Sequence, residues 1–193
     1  LVIAITRFTE GAWVVVVLIP LLVFFKLQIK KHYNEVAEDL KINGDPNALI
    51  HRRPANPNGI GRVVMPVQNV NKSFIKALNY AIQLGARNIE FYFVSAGDGR
   101  EEQLKKQLDA LNIEGSVFTY DVTQLRDFNR VLLKHIDSLA DEVSSGEMLT
   151  VIIPQLVFEK KWAALLHNQT SVQLKLALDK RRNVTVVSVP YIA

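Results

Sequence analysis

The 193-residue chain has no cysteine. That excludes a disulfide framework, a thiolate metal site and a cysteine nucleophile, and it fits a reducing compartment. The chain also lacks any block of one charge. Its formal net charge is +4, and its basic clusters, Lys105-Lys106, Lys160-Lys161 and Lys180-Arg181-Arg182, are scattered. No basic footprint for nucleic acid results, and no RNP, zinc-finger or helix-turn-helix signature is present. The four histidines, His32, His51, His135 and His167, do not pair at metal-ligand spacing. There is no G-x-S-x-G elbow. The expectation is therefore a non-enzymatic protein with no catalytic residues, no metal and no resident cofactor. His135 reads as a surface residue of a helix that also carries Asp137. Asp121 follows a strand, where it could orient a ligand or, more commonly, cap a turn or helix. Hydrophobic residues make up 49% and charged residues 22%, which argues for a folded chain rather than a disordered one.

One apolar run stands out. Every residue from Ala12 to Phe25 is apolar, short of the roughly 20 residues a spanning helix needs. Leu1 to Ile5 adds a second apolar patch, with Arg7 and Glu10 between the two. A secretory signal would place basic residues before its apolar core. Here Lys26, Lys30 and Lys31 follow it, which by the positive-inside rule puts the downstream end in the cytoplasm. Trp13 and Tyr33 would sit near the two interfaces, and Pro20 is tolerated in membrane helices. The competing reading is a buried helix of a soluble protein. The start at Leu1 rather than Met suggests a fragment or a processed product. The sequons at Asn71, Asn168 and Asn183 matter only for a secreted domain, which those lysines argue against.

Residues 34–42 read as a short amphipathic helix, with Val36, Leu40 and Ala37 on one face. The Asn-, Pro- and Gly-rich stretch "NGDPNALIHRRPANPNG" follows and reads as a linker or long loop holding Arg52 and Arg53. The expected division is 1–33 as the end of a transmembrane region, 34–61 as amphipathic helix and linker, and 62–193 as an α/β domain.

From Arg62 the chain alternates. Strands are expected at 62–68, 88–96, 115–122, 147–157 and 183–192. Helices are expected at 71–86, closed by Gly85, and at 99–113. Two more are expected at 123–143, with Thr123 as a plausible N-cap, and at 159–181, broken near Asn168. This β-α-β-α-β-α-β-α-β order calls for a five-stranded parallel sheet with helices on both faces, because parallel strands need crossovers. Ligands of such sheets bind outside the carboxyl ends of the strands, where strand order reverses. "GDGR" (97–100) could aim N–H groups and a guanidinium at a phosphate. It lacks the spacing of GxGxxG or of a P-loop, and the plainer reading is a tight glycine turn. "HNQTS" (167–171) interrupts an apolar helical pattern. Either Asn168 or Thr170 caps a restarted helix there, or the free N–H groups meet a ligand.

"FTEGAWVVVVLIPLLVFF…HY" resembles the last transmembrane segment of bacterial permeases of the amino-acid–polyamine–cation superfamily. "HNQTSVQLKLAL" followed by "VTVVSVPY" resembles the end of the cytosolic domain carried by those permeases, the KimA-type potassium importers among them. The resemblance covers nearly the whole chain. It implies a universal stress protein-like α/β domain with strand order 3-2-1-4-5, preceded by a hydrophobic helix. Nucleotide-binding members of that fold carry an Asp after the first strand and Gly-x2-Gly-x9-Gly-Ser/Thr after the fourth. Here Gln68 stands at the Asp position and Pro154 among the missing glycines, so the close backbone approach to a triphosphate is lost. Importers of this type are inhibited by cyclic di-AMP, which makes a regulatory adenine dinucleotide the sharper expectation, with ATP the other candidate. Candidate lining residues, placed by strand-end logic, are Pro66, Gln68, Val94, Ser95, Pro154, Gln169 and Thr170, with Arg52, Arg53 or Arg100 meeting phosphates.

The implied function is the dimerising cytosolic regulatory domain of a bacterial cell-membrane cation or amino-acid importer, with potassium the expected cargo. Residues 34–193 would then be cytoplasmic, with the membrane part of the permease and a second copy as partners and no nucleic acid. The alternatives are a soluble ATP-binding stress protein of the same fold and a ligand-free dimerisation module.

Overall fold

The computed structural model describes residues 12–50, 60–124, 127–143, 147–157 and 169–192. The chain divides into two compact units, Leu1–Lys41 and Ile42–Ala193.

The described part of the first unit is one helix, α1 (Ala12–Leu40), which runs through Pro20. Residues 34–40, expected as a separate amphipathic helix, continue it. No glycine or proline lies between Leu21 and Leu40 to stop the ladder, and Lys31 and Glu35 form an i,i+4 ion pair across the expected seam at 3.9 Å. Of the three residues expected to share a face, Val36 is buried, Leu40 is half-buried and Ala37 is exposed. The apolar side chains from Val14 to Phe25, Pro20 aside, are exposed large hydrophobics. Among the described residues, no helix is long and apolar enough to cross a membrane.

The second unit begins at Ile42, one residue before the expected linker, whose first part is seated on the domain. Asp45 caps a 3-10 turn (Pro46–Leu49) by accepting from Asn47 N. Asn47 Nδ2 donates to Ala110 O at 2.9 Å, and Asn79 Nδ2 donates to Leu49 O at 2.7 Å. Ile50 is buried in the core. Arg52 and Arg53 lie outside the described residues.

Beyond it come β1 (Arg62–Pro66), α2 (Lys72–Gln83), β2 (Asn88–Ser95), α3 (Arg100–Ala110) and β3 (Ser116–Val122). They are followed by α4 (Phe128–Glu142), β4 (Leu149–Val157), α5 (Gln169–Leu178) and β5 (Val184–Ile192). All strands pair in parallel, in the order β3-β2-β1-β4-β5. This is the expected fold class and order.

Both faces of the sheet are covered, as parallel sheets require. Val63, Met65, Ile89, Phe91 and Phe93 pack with Phe74 and Leu78 of α2 and Leu104 and Leu108 of α3. On the other face Val64, Tyr92, Val94, Val151 and Ile153 pack with Leu132, Ile136 and Leu139 of α4 and Leu174 and Leu178 of α5. Asn71 caps α2, its side chain accepting from Phe74 N at 3.0 Å. Thr123 does not cap α4. Its N–H donates to Ser95 O at 2.8 Å and prolongs the sheet ladder, and α4 begins only at Phe128. Thr170 lies inside α5 rather than at a cap, and Asn168 falls outside the described residues. Arg181, just past α5, holds Asp137 of α4 in a two-pronged ion pair, with Nη2 to Oδ2 at 2.8 Å. That hydrogen bonding keeps the Asp137 carboxyl below its usual range. Gly115, before β3, has φ +72°, and an added Cβ would collide with the Arg87 carbonyl oxygen, so only glycine fits.

Candidate functional site

Strand order reverses between β1 and β4, and there the sheet opens. β1 pairs with β2 from Arg62 to Pro66, but its register with β4 holds only Val63↔Thr150 and Val64↔Val151. From Ile152 onward β4 is paired with β5 alone. The carboxyl ends of β1 and β4 thus part at the switch point, the place where open α/β sheets take ligands. Pro154 stands in this unpaired reach, where its missing N–H removes no bond to β1.

Pro66, Val94, Ser95 and Pro154 therefore sit toward one end of the sheet. Pro66 and Pro154 are half-buried, Gln68 is exposed, and Val94 and Ser95 are buried. Gln169 and Thr170 open α5. Beneath Gln68, Val67 N donates to Tyr92 O at 2.9 Å and closes the end of β1 against β2.

The turn after β2 is self-satisfied. Ser95 Oγ donates to Glu101 Oε2 at 2.8 Å and accepts from Gly97 N at 2.9 Å. Its single proton is therefore committed within the turn. Arg100 Nε donates to Asp98 Oδ2 at 2.6 Å, and its guanidinium lies 5.8 Å from the centre of the Phe93 ring. Glu101 and Glu102 occupy the first turn of α3, where carboxylates complement the helix dipole and compete with an incoming anion.

A second polar cluster lies on the α4 face of β2, and sequence reading missed it. Glu90 is buried. Its Oε1 takes hydrogen bonds from Thr119 Oγ1 at 2.6 Å and from His135 Nε2 at 2.7 Å. Its Oε2 faces Arg62 Nη2 at 3.4 Å, and Arg62 Nη1 reaches Glu142 at 2.9 Å. Burial alone would raise the Glu90 carboxyl. The hydrogen bonds from His135 and Thr119, with the charges of His135 and Arg62, outweigh it and hold the carboxyl below its usual value. The His135 ring stacks on Tyr92, with centroids 4.0 Å apart and planes 7° from parallel. Tyr92 Oη in turn donates to Asp121 Oδ2 at 2.5 Å. Burial, that hydrogen bond and the charges of Asp121 and Glu90 push the phenol far above its usual value, so it stays a donor.

His135 is thus half-buried in a network and not a surface residue, and Asp121 is an acceptor for Tyr92 rather than a cap. The signals were present. Glu90 and Tyr92 alternate on one face of an apolar strand, and His135 falls among Leu132, Ile136 and Leu139 at helical spacing. Beside Glu90 a cavity of about 320 Å³ is lined by Arg62, Asn88, Gly115, Val117 and Thr119 among others. It lies toward the amino ends of the strands, away from the carboxyl ends of β1 and β4. Among the described residues no cluster of His, Asp and Glu could hold a metal ion.

Residues 59–191 match the family described as KimA potassium transporter C-terminal domain. The chain is 27% identical over 192 residues to the potassium transporter KimA of Bacillus subtilis (strain 168). That match takes in 97% of this chain but only 29% of the relative, so the chain spans less than a third of the transporter's length. With the matched segment holding all of the sheet but Ile192, the chain belongs to the KimA potassium transporter C-terminal domain family.

Proposed function

We propose that this chain is the cytoplasmic regulatory end of a bacterial potassium importer, dimerising through residues 62–193 and binding an adenine nucleotide such as cyclic di-AMP. Family membership over residues 59–191 carries the transporter reading. The apolar stretch Ala12–Phe25, followed by lysines, would then be the end of the membrane region, with residues 34–193 in the cytoplasm. The domain has no enzymatic role in this reading.

The nucleotide would enter where the carboxyl ends of β1 and β4 part. Its bases would need flat apolar slots, for which Pro66, Val94 and Pro154 are the candidates, and hydrogen-bonding groups, for which Gln68, Gln169 and Thr170 are the candidates. Arg100 would exchange Asp98 for a phosphodiester, with Arg52 or Arg53 as further cations. Bound nucleotide can inhibit transport only by favouring one conformational state over another.

Calorimetry of the 193-residue chain in detergent tests the ligand. Saturable heat with cyclic di-AMP is expected, and weaker or no heat with ATP. Absence of both heat and thermal shift with either nucleotide overturns the sensor reading. It would leave a ligand-free dimerisation module, a reading favoured by the Arg100–Asp98 pair. Removing residues 1–41 separates the membrane reading from a soluble stress protein. The unit from Ile42 onward should keep its fold. Its collapse would mean that the apolar helix belongs to the core.

A further inference from the structure

The sheet has two edges, and they differ. β5 carries the exposed Pro190, which has no N–H to offer. The Pro190 carbonyl is already taken by Lys76 Nζ at 2.7 Å. Both are ordinary protections for an edge strand. β3, "SVFTYDV", has no Lys, Arg, Pro or Gly. Its one charge, Asp121, accepts from Tyr92 of the same chain. Val117, Tyr120 and Val122 are 59%, 50% and 62% exposed.

The backbone groups of β3 that turn away from β2 can be assigned. Ile89 N donates to Gly115 O at 3.1 Å, and Thr123 N donates to Ser95 O at 2.8 Å. A continuous parallel register joins these two bonds. The odd-numbered residues of β3 therefore bond toward β2, and Phe118, Tyr120 and Val122 turn their N–H and C=O groups outward. Among the described residues no strand lies on that side.

We propose that β3 is the dimer interface, pairing antiparallel with β3 of a second copy across a two-fold axis at Tyr120, so that two sheets become one of ten strands. The proposal rests on the dimer reading above and specifies its surface. The strand is self-complementary in this register. Tyr120 faces its own copy and Phe118 faces Val122, both as hydrogen-bonded pairs that use the outward groups. Between and beyond them Thr119 faces Asp121 and Val117 faces Thr123. No two like charges stand directly opposite, and the central pairs are aromatic and β-branched, the most favourable cross-strand combinations. Phe118 and Tyr120 already stack along the strand, with centroids 6.0 Å apart, so the interface would carry an aromatic strip from both copies.

A cysteine-free chain makes the test direct. In a hydrogen-bonded antiparallel pair the Cα atoms lie about 5.5 Å apart, within disulfide reach. Under mild oxidation Tyr120→Cys should convert most of the dimer to a covalent species, while Ile192→Cys on the β5 edge, 65% exposed, should remain largely uncrosslinked. Val122→Lys should raise the dimer dissociation constant at least tenfold by light scattering, with an unchanged far-UV spectrum. This second variant decides the matter if Tyr120→Cys does not fold. A dimer that crosslinks through Ile192→Cys, through both positions equally or through neither overturns the β3 interface and leaves the dimer reading standing. A chain that stays monomeric overturns both. Neither result bears on the nucleotide, which calorimetry reads separately.

Discussion

β2 shows the two faces of the sheet side by side. Its odd residues, Ile89, Phe91 and Phe93, enter a core of hydrocarbon with α2 and α3. Its even residues, Glu90, Tyr92 and Val94, enter a core that also holds a carboxylate, an imidazole and a phenol. The first face is held by shape and area, through close packing of hydrocarbon. The second is held by directional contacts that accept one placement of α4, because Glu90 must meet His135 and Thr119 together. A buried polar network of this kind contributes little net stability when intact and is costly to break.

The largest effect should come from the dry face. Phe91 is 1% exposed, and its ring centre lies 5.5 Å from that of Phe74. Phe91→Ala should lower stability by about 3–5 kcal/mol, read as a fall in urea midpoint. A loss below about 1 kcal/mol would show that this face is not close-packed.

Glu90→Gln is the matching test of the wet face. Glutamine keeps an acceptor for Thr119 but leaves Arg62 and His135 facing no charge. Arg62 is about one-third exposed, so solvent screens part of the loss. We expect about 2 kcal/mol, and a double-mutant cycle with His135→Ala should show coupling between the two sites. Strict additivity would break the comparison, since it would make the second face a collection of independent contacts.

The same pair predicts a pH signature. The folded Glu90 carboxyl titrates below its ordinary 4.5. Its contribution is therefore fully present above that value and is lost as pH falls through the depressed folded value. The acid limb of stability against pH should be shallower in Glu90→Gln than in the parent. Parallel limbs would exclude Glu90 as a source of acid sensitivity. Tyr92→Phe removes only the hydroxyl that reaches Asp121 and should lower stability by about 1 kcal/mol.

How much of this was legible follows from the periods involved. The β-branched runs and the 3.6-residue spacing of Phe74, Leu78 and Ala81 announce strands and helices directly. Strand order does not follow from periodicity, and here it came from resemblance to a family. The end of α1 was misread because the change in composition near Asn34 looks like a boundary while nothing local stops a helix. Thr123 was misread because a cap residue and the last rung of a strand have similar extended backbones. Pro66 and Ser95 close β1 and β2 because strand ends are set by the apolar runs, whereas Pro154, expected just after the fourth strand, lies inside β4, which runs on to Val157 beside β5. The partners of a polar side chain are set by register between strands, so Glu90, His135 and Thr119, far apart in sequence, could not be joined beforehand.

The smallest expected change in stability is also the one that connects the two ends of β2. Asp98 and Arg100 form an exposed pair beside Phe93, and exposed pairs contribute little to folding. Asp98→Ala should leave the urea midpoint where it is. It should nevertheless free the Arg100 guanidinium, whose charge Asp98 now neutralises. If the nucleotide meets Arg100, cyclic di-AMP should bind more tightly to Asp98→Ala than to the parent and more weakly to Arg100→Ala, as calorimetry would show. Equal affinity in all three proteins would remove Arg100 from the site and leave the phosphates to cations elsewhere in the chain.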